Sequence, residues 1–180
     1  MLIRHAEKPA KDFIPYGVTF EGERSNESLE VRGWQRAGGL VNLFAPVNGH
    51  IQHPALARPR FLYASKFIRR KGSKRPLETI TPLSEKLGIR INAQFPRSNL
   101  ESMIQQVFLC RGVVLICWQR EYLPRIATLI LGHDKNVPSI WPEDRFDMIW
   151  VFDLDGRSGK YKFKQVPQKL LGGDLTIPIK

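Results

Sequence analysis

The chain has 180 residues, 42% hydrophobic and 25% charged, ordinary values for one globular domain (residues 1–180) large enough to bury a real core. Lys and Arg number 28 against 17 Asp and Glu, a net charge of +11 that favours anionic partners. The longest apolar run, 113–118, is far too short to span a bilayer, so no membrane association is expected, and no basic-then-apolar leader precedes the first motif, so no signal peptide is expected.

In chain order, Met1–Arg4 reads as a short strand and residues 8–28 as a polar loop punctuated by Pro and Gly. Leu29–Phe44 carries apolar residues at 34, 37, 41 and 44, a helical spacing, weakened by Gly33, Gly38 and Gly39. A second loop, 45–60, contains three prolines and leads to a strand at Phe61–Ser65. Pro76–Leu87 is a helix ended by Gly88, and Pro82 should kink it. A short strand at Ile89–Asn92 precedes a helix at Asn99–Phe108. Val113–Trp118 is apolar on both faces, as a buried parallel strand should be. A helix at Leu123–Leu131 is closed by Gly132. Phe146–Leu154 then forms a long strand that turns at Asp155-Gly156 into Tyr161–Val166, an antiparallel pair at the sheet edge. Alternating strands and helices predict a three-layer α/β/α sandwich around a mostly parallel central sheet.

The first strand ends in Arg4-His5-Ala6-Glu7. Open α/β sheets place ligands at the carboxyl ends of their strands. Neighbours in a strand face opposite ways, so Arg4 and His5 can share a pocket only if the strand stops there. The pair suits phosphoryl transfer: the imidazole can attack phosphorus and the guanidinium can neutralise its oxygens.

Leu2-Ile3-Arg4-His5-Ala6-Glu7 resembles the signature of the histidine phosphatase superfamily, the phosphoglycerate mutase-like proteins. Further segments follow in the family's order. Residues 29–37 resemble its Leu-x-x-x-Gly-x-x-x-Ala helix opening, 62–65 its second strand, Arg75-Pro76-Leu77-Glu78-Thr79 its Arg-x-x-Gln/Glu-Thr motif, and 113–118 the strand that leads to its second catalytic His. The resemblance spans roughly residues 1–131 and implies the family's fold. It implies His5 as the nucleophile, with Arg4 and Arg75 as phosphate clamps. Arg69 is the other candidate for the second clamp, since the family usually has Ser-x-x-x-Arg and Ser65 stands four residues before it; choosing Arg75 makes 67–74 an insertion. Glu101, opening a helix after a Pro-containing loop, is the expected general acid, although a Glu there also suits the helix dipole. Glu7 is the alternative acid, and Glu78 is expected to be structural.

One member departs from the family. Where the second His should stand, the chain reads Cys117-Trp118-Gln119-Arg120-Glu121, so the position falls on Arg120 in one register and on Gln119 in the other. Arg120 can neutralise phosphate but cannot act as acid or base. The first strand is also shorter than the family's norm, as expected of a truncated or late-started chain.

No metal and no cofactor are expected: His50 and His53 lie in a Pro-rich loop without nearby carboxylates or thiols, and no His-x-x-x-His or Cys-x-x-Cys spacing occurs. Cys110 and Cys117 are expected to stay reduced, which fits a cytoplasmic protein. The basic run from Lys66 to Arg75 holds a single aromatic, Phe67, so it reads as a solvated loop, and no nucleic acid is expected as a partner. Trp118, Trp141 and Trp150 are expected in the core. The leading expectation is hydrolysis of a phosphate monoester on a small molecule or a phosphoprotein, through a phosphohistidine on His5. The alternative is a catalytically impaired homologue that binds phosphorylated ligands. A mutase has no support, because nothing marks a bisphosphoglycerate pocket.

Overall fold

A computed structural model describes residues 1–10, 14–69 and 72–180. Arg70 and Lys71 of the basic run, and 11–13 of the first loop, lie outside the described residues. Six strands form one sheet: β1 (Leu2–Arg4), β2 (Phe61–Ala64), β3 (Ile91–Asn92), β4 (Val114–Trp118), β5 (Met148–Leu154) and β6 (Tyr161–Pro167), in the order β3-β2-β4-β1-β5-β6. The first four strands run parallel; β5 is antiparallel to β1 and to β6. Four helices cover the sheet: α1 (Val31–Phe44), α2 (Arg75–Leu87), α3 (Leu100–Phe108) and α4 (Leu123–Leu131).

The strict alternation of strand side chains sorts the core into two layers. Leu2, Tyr63, Ile116, Trp118, Met148 and Trp150 pack against α3 and α4. Ile3, Leu62, Ala64, Leu115, Cys117 and Ile149 pack against α1 and α2. Every interior strand is therefore apolar on both faces, the pattern read from 113–118. Trp118, Trp141 and Trp150 are all buried in the first layer. Both cysteines are free. Among the described residues, no helix is long and apolar enough to cross a membrane.

Four details differ from the sequence reading or add to it. The long strand starts at Met148 rather than Phe146, which leaves the Phe146 ring beside His5, with centroids 6.3 Å apart. A 3-10 turn, Arg120–Tyr122, precedes α4. On α1 the buried face includes the charged Arg36 beside Gly33, Ala37, Leu40 and Phe44. α2 continues across Pro82, with the Thr81 hydroxyl donating back to the Leu77 carbonyl.

Candidate active site

β1 ends at Arg4, and the chain leaves the sheet between the carboxyl end of β4 and the amino end of β5, which runs antiparallel to β1. The His5 N–H donates to the Trp118 carbonyl at 3.0 Å, so one further ladder bond holds the residue at the sheet's edge. The Ala6 N–H donates to the Thr79 hydroxyl, which itself donates to the Arg75 carbonyl, at 2.8 and 2.7 Å. Thr79 thus ties the turn after β1 to the first turn of α2. This contact is the physical content of the Arg-x-x-x-Thr spacing: four residues along a helix bring the hydroxyl under the carbonyl one turn back.

His5 is 4% exposed. Its Nδ1 lies 2.7 Å from the Ala6 carbonyl. A carbonyl only accepts, so Nδ1 carries the proton and, in the neutral ring, Nε2 keeps its lone pair. Burial holds the imidazole well below its ordinary pKa of 6.5, and the charges of Arg4, Arg75 and Lys8 push it the same way. The ring is therefore neutral at pH 7 and nucleophilic at Nε2.

Arg4 is almost wholly buried. Its Nη1 donates to the carbonyls of Pro142, Glu143 and Arg145 at 3.1, 2.6 and 2.8 Å. Its guanidinium stacks on Phe146, 3.7 Å from the ring centroid. Burial and then the Arg120 charge pull its pKa down to about 9, which still leaves it cationic at neutral pH. Nε and Nη2 share one edge of the planar group, the edge suited to a bidentate oxyanion, and both are buried without a partner. Three buried side-chain polar atoms among the described residues lack partners: these two and Gln119 Oε1. All three belong to residues flanking His5.

Arg75 opens α2 and points back over the first loop, donating to the carbonyls of Asn26 and Ser28 at 2.6 and 3.3 Å. Its charge acts on His5, and burial lowers its own pKa. Arg4, His5 and Arg75 are thus gathered at one end of the sheet. Arg69, the other clamp candidate, is exposed.

The two registers for the missing His separate in space. Gln119 directly follows β4, is 5% exposed, and donates from Nε2 to the hydroxyl of the buried Ser65 at 2.8 Å. Arg120 begins the 3-10 turn, is a third exposed, and pairs with Glu143 at 3.6 Å. Its charge reaches Arg4, but Gln119 is the residue in the buried layer next to His5.

The carboxylates also sort by position. Glu7 is locked by Arg36 through Nε and Nη2, at 2.7 to 3.0 Å, and is buried. Both oxygens are engaged, so it is built as a structural anion. Glu78 accepts the Leu29 N–H at 2.9 Å and clamps the start of α1 to α2; burial raises its pKa. Glu101 lies exposed on α3, paired with Arg125 of α4 at 2.9 Å, and makes no bond to Arg4, His5 or Arg75. Sequence reasoning passed over Glu121 on the 3-10 turn, whose charge acts on both Arg4 and Arg75. It also passed over Glu143, which lies between Lys8 and Arg120. The signal for Glu121 was available: it stands one residue after Arg120 and two after Gln119, the two positions expected for the His, just past the carboxyl end of a central strand.

The chain is similar in structure to a mycobacterial glucosyl-3-phosphoglycerate phosphatase in complex with VO3. The TM-score is 0.53 at 10% sequence identity, over 91% of this chain and 95% of that one. No protein-family model and no curated protein sequence matches the chain. At this identity the likeness shows the fold alone: the chain shares the α/β architecture of that phosphatase, in line with the phosphoglycerate mutase-like sandwich expected from its sequence.

Proposed function

We propose that this chain hydrolyses a phosphate monoester, on a small molecule or a phosphoprotein, through a phosphohistidine at His5. The observation that carries the reading is the tautomer of His5: the Ala6 carbonyl holds the proton on Nδ1 and leaves Nε2 as a buried, neutral nucleophile. The Nε2 lone pair forms the N–P bond as the ester P–O bond breaks, and the leaving oxygen takes a proton from a protonated rim carboxyl group, which becomes a carboxylate. Water then attacks phosphorus, giving one proton to that carboxylate, the N–P bond breaks, and Nε2 regains its lone pair. Arg4 offers its free guanidinium edge to the phosphoryl oxygens, Arg75 adds positive charge from α2, and Arg120 adds it from the rim. Among the carboxylates, Glu121 has a stronger claim than Glu101 to the proton-donor role, because its charge reaches both clamping arginines. No step in this scheme calls on a metal.

The structural neighbour is by name a phosphatase, which is in line with this class of reaction; at 10% identity the likeness carries no substrate identity. A second reading, a binder of phosphorylated ligands without turnover, is favoured by one observation: Gln119 stands beside His5 where the family's second His is expected. Turnover separates the two. Wild type should release phosphate from an aryl phosphate in the presence of a chelator, and His5→Ala should abolish the release. Phosphate binding without release would leave only the second reading, and activity that survives in His5→Ala would sink the phosphohistidine route.

A further inference from the structure

The three unpartnered buried atoms bear on what holds the anion. A buried amide oxygen or N–H without a partner is unfavourable by about 1–3 kcal/mol, so such groups mark places where a ligand completes the hydrogen bonding. Two of the atoms are donors on Arg4. The third is on Gln119, and it has been left out of the scheme above.

Gln119 and His5 each stand one residue past the paired positions Trp118 and Arg4 of the adjacent strands β4 and β1. Ser65, one residue past Ala64 of β2, lies on the other side of β4 and is 1% exposed. The amide is therefore held from the β2 side by Ser65 and unpartnered at its other atom. A serine hydroxyl both donates and accepts. Turning the amide by half a turn keeps the Ser65 bond, with the hydroxyl donating to Oε1, and frees the NH2 group as a donor. The two orientations occupy the same volume.

We propose that Gln119 is the neutral third ligand of a tetrahedral oxyanion such as a phosphoryl group, donating through its amide NH2, and that Ser65 is the residue that positions it. This rests on the reading of the Arg4–His5 cluster as an anion site. An imidazole at this place would carry a proton, and thus a charge, that depends on pH; the amide gives directional donation that does not titrate. The remaining charged groups around the amide are Arg4 and His5 at the end of β1, Lys8 after it, Arg75 on α2, Arg120 and Glu121 on the 3-10 turn, and Glu143 on the loop ahead of β5. They are common to wild type and to every Gln119 variant, so they cancel when the two are compared at each pH.

The test measures sulfate binding by calorimetry on the full chain between about pH 5.5 and 8.5, a range in which sulfate itself does not titrate. Gln119→His should bind relatively tighter as pH falls, with the ratio to wild type following one imidazole titration. Gln119→Glu, nearly isosteric, should bind at least tenfold more weakly, because a carboxylate replaces a donor. Ser65→Ala should weaken wild type severalfold yet have no further effect in Gln119→Ala, a coupling that a purely structural serine would not produce. If Gln119→His tracks wild type at every pH while Arg4→Met still abolishes binding, Gln119 is not a ligand and this inference fails alone. If wild type binds neither sulfate nor inorganic phosphate, the anion site itself is wrong and both readings fall. Should Gln119→Glu not fold, the pH profile of Gln119→His decides.

Discussion

One backbone carbonyl and its own burial keep the His5 ring neutral, and among the described residues no carboxylate bonds it. This has a consequence for pH. The folded-state pKa lies below the unfolded value, so above about 6.5 both states are neutral and the stability term is fully present. Below that value the unfolded chain takes the proton first, and stability declines as pH falls. Wild type should therefore lose more thermal stability than His5→Gln between about pH 7.5 and 5. Ring 15N shifts should report the Nδ1–H tautomer throughout that range. A His5 that titrates near 6.5 would contradict the burial argument. Glu121 and Glu101 can be told apart in the same way, by replacement. A general acid contributes on the order of 10²–10⁴ in rate. Glu121→Gln should reduce kcat by such a factor on an alkyl phosphate, whose leaving oxygen needs a proton, and far less on an aryl phosphate. Glu101→Gln should stay within a few-fold on both; the opposite ranking would return the role to Glu101.

Helix α1 contains three glycines, and each meets different surroundings. At Gly33 an added Cβ would lie 2.5 Å from the Glu7 carbonyl oxygen and 3.1 Å from its N, both backbone atoms of the turn that carries His5. No rotamer relieves that contact, so α1 or the turn must move. At Gly39 the neighbours are the flexible Leu170 side chain, from 3.3 Å. At Gly38 nothing lies within 4 Å. Gly38→Ala should therefore stabilise the protein by about 0.5–1 kcal/mol through helix propensity alone, with activity unchanged. Gly33→Ala should destabilise it and reduce phosphate release together, because the displaced backbone carries His5, the proposed nucleophile. Thermal melts and turnover of the two variants test this; equal effects would mean that the α1–Glu7 contact is softer than its geometry says. α2 acts on the same turn from the other side through Thr79, so His5 is held between two helices.

Across the molecule, Arg36 joins segments remote in sequence. Its guanidinium bonds Glu7 after β1, Gln168 after β6 and Asp174 beyond it. Asp174 also accepts the N–H groups of Leu170 and Leu171. Burial alone would raise the Asp174 carboxyl, but Arg36 and these N–H groups outweigh it and hold the pKa below its ordinary value. The same carboxylates raise the Arg36 pKa against the effect of its burial. Removing one partner of such a buried network costs about 3–5 kcal/mol, because the other charges stay buried. Arg36→Met should thus lower the melting temperature by roughly 6–20 °C for a chain of this size. The triple replacement Arg36→Met, Glu7→Gln, Asp174→Asn should recover much of that loss. A small effect of Arg36→Met alone would show that water reaches the carboxylates.

The sequence by itself determined the elements and their layers. Strands such as 113–118 are apolar at every position because both faces are buried, and the helices repeat at three and four residues because one face is. It also determined which end of the sheet carries the cluster, since Arg4 and His5 stand where the first apolar run stops and Arg75 where a helix opens. Those signals are local: they depend on spacing along one segment. What only the tertiary structure decided depends on pairing between segments. It placed Gln119 rather than Arg120 beside His5, because β4 runs out one residue sooner than the Arg120 register needs and the next side chain is captured by Ser65 from β2. It buried Arg36, since the carboxylates that neutralise it come from residues 29 and 138 positions away. It fixed the proton on His5 Nδ1, because the backbone bends after β1 and turns the Ala6 carbonyl onto the ring. A residue's spacing reports the face of its own element, whereas its charge state and its partners are set by what folds against it.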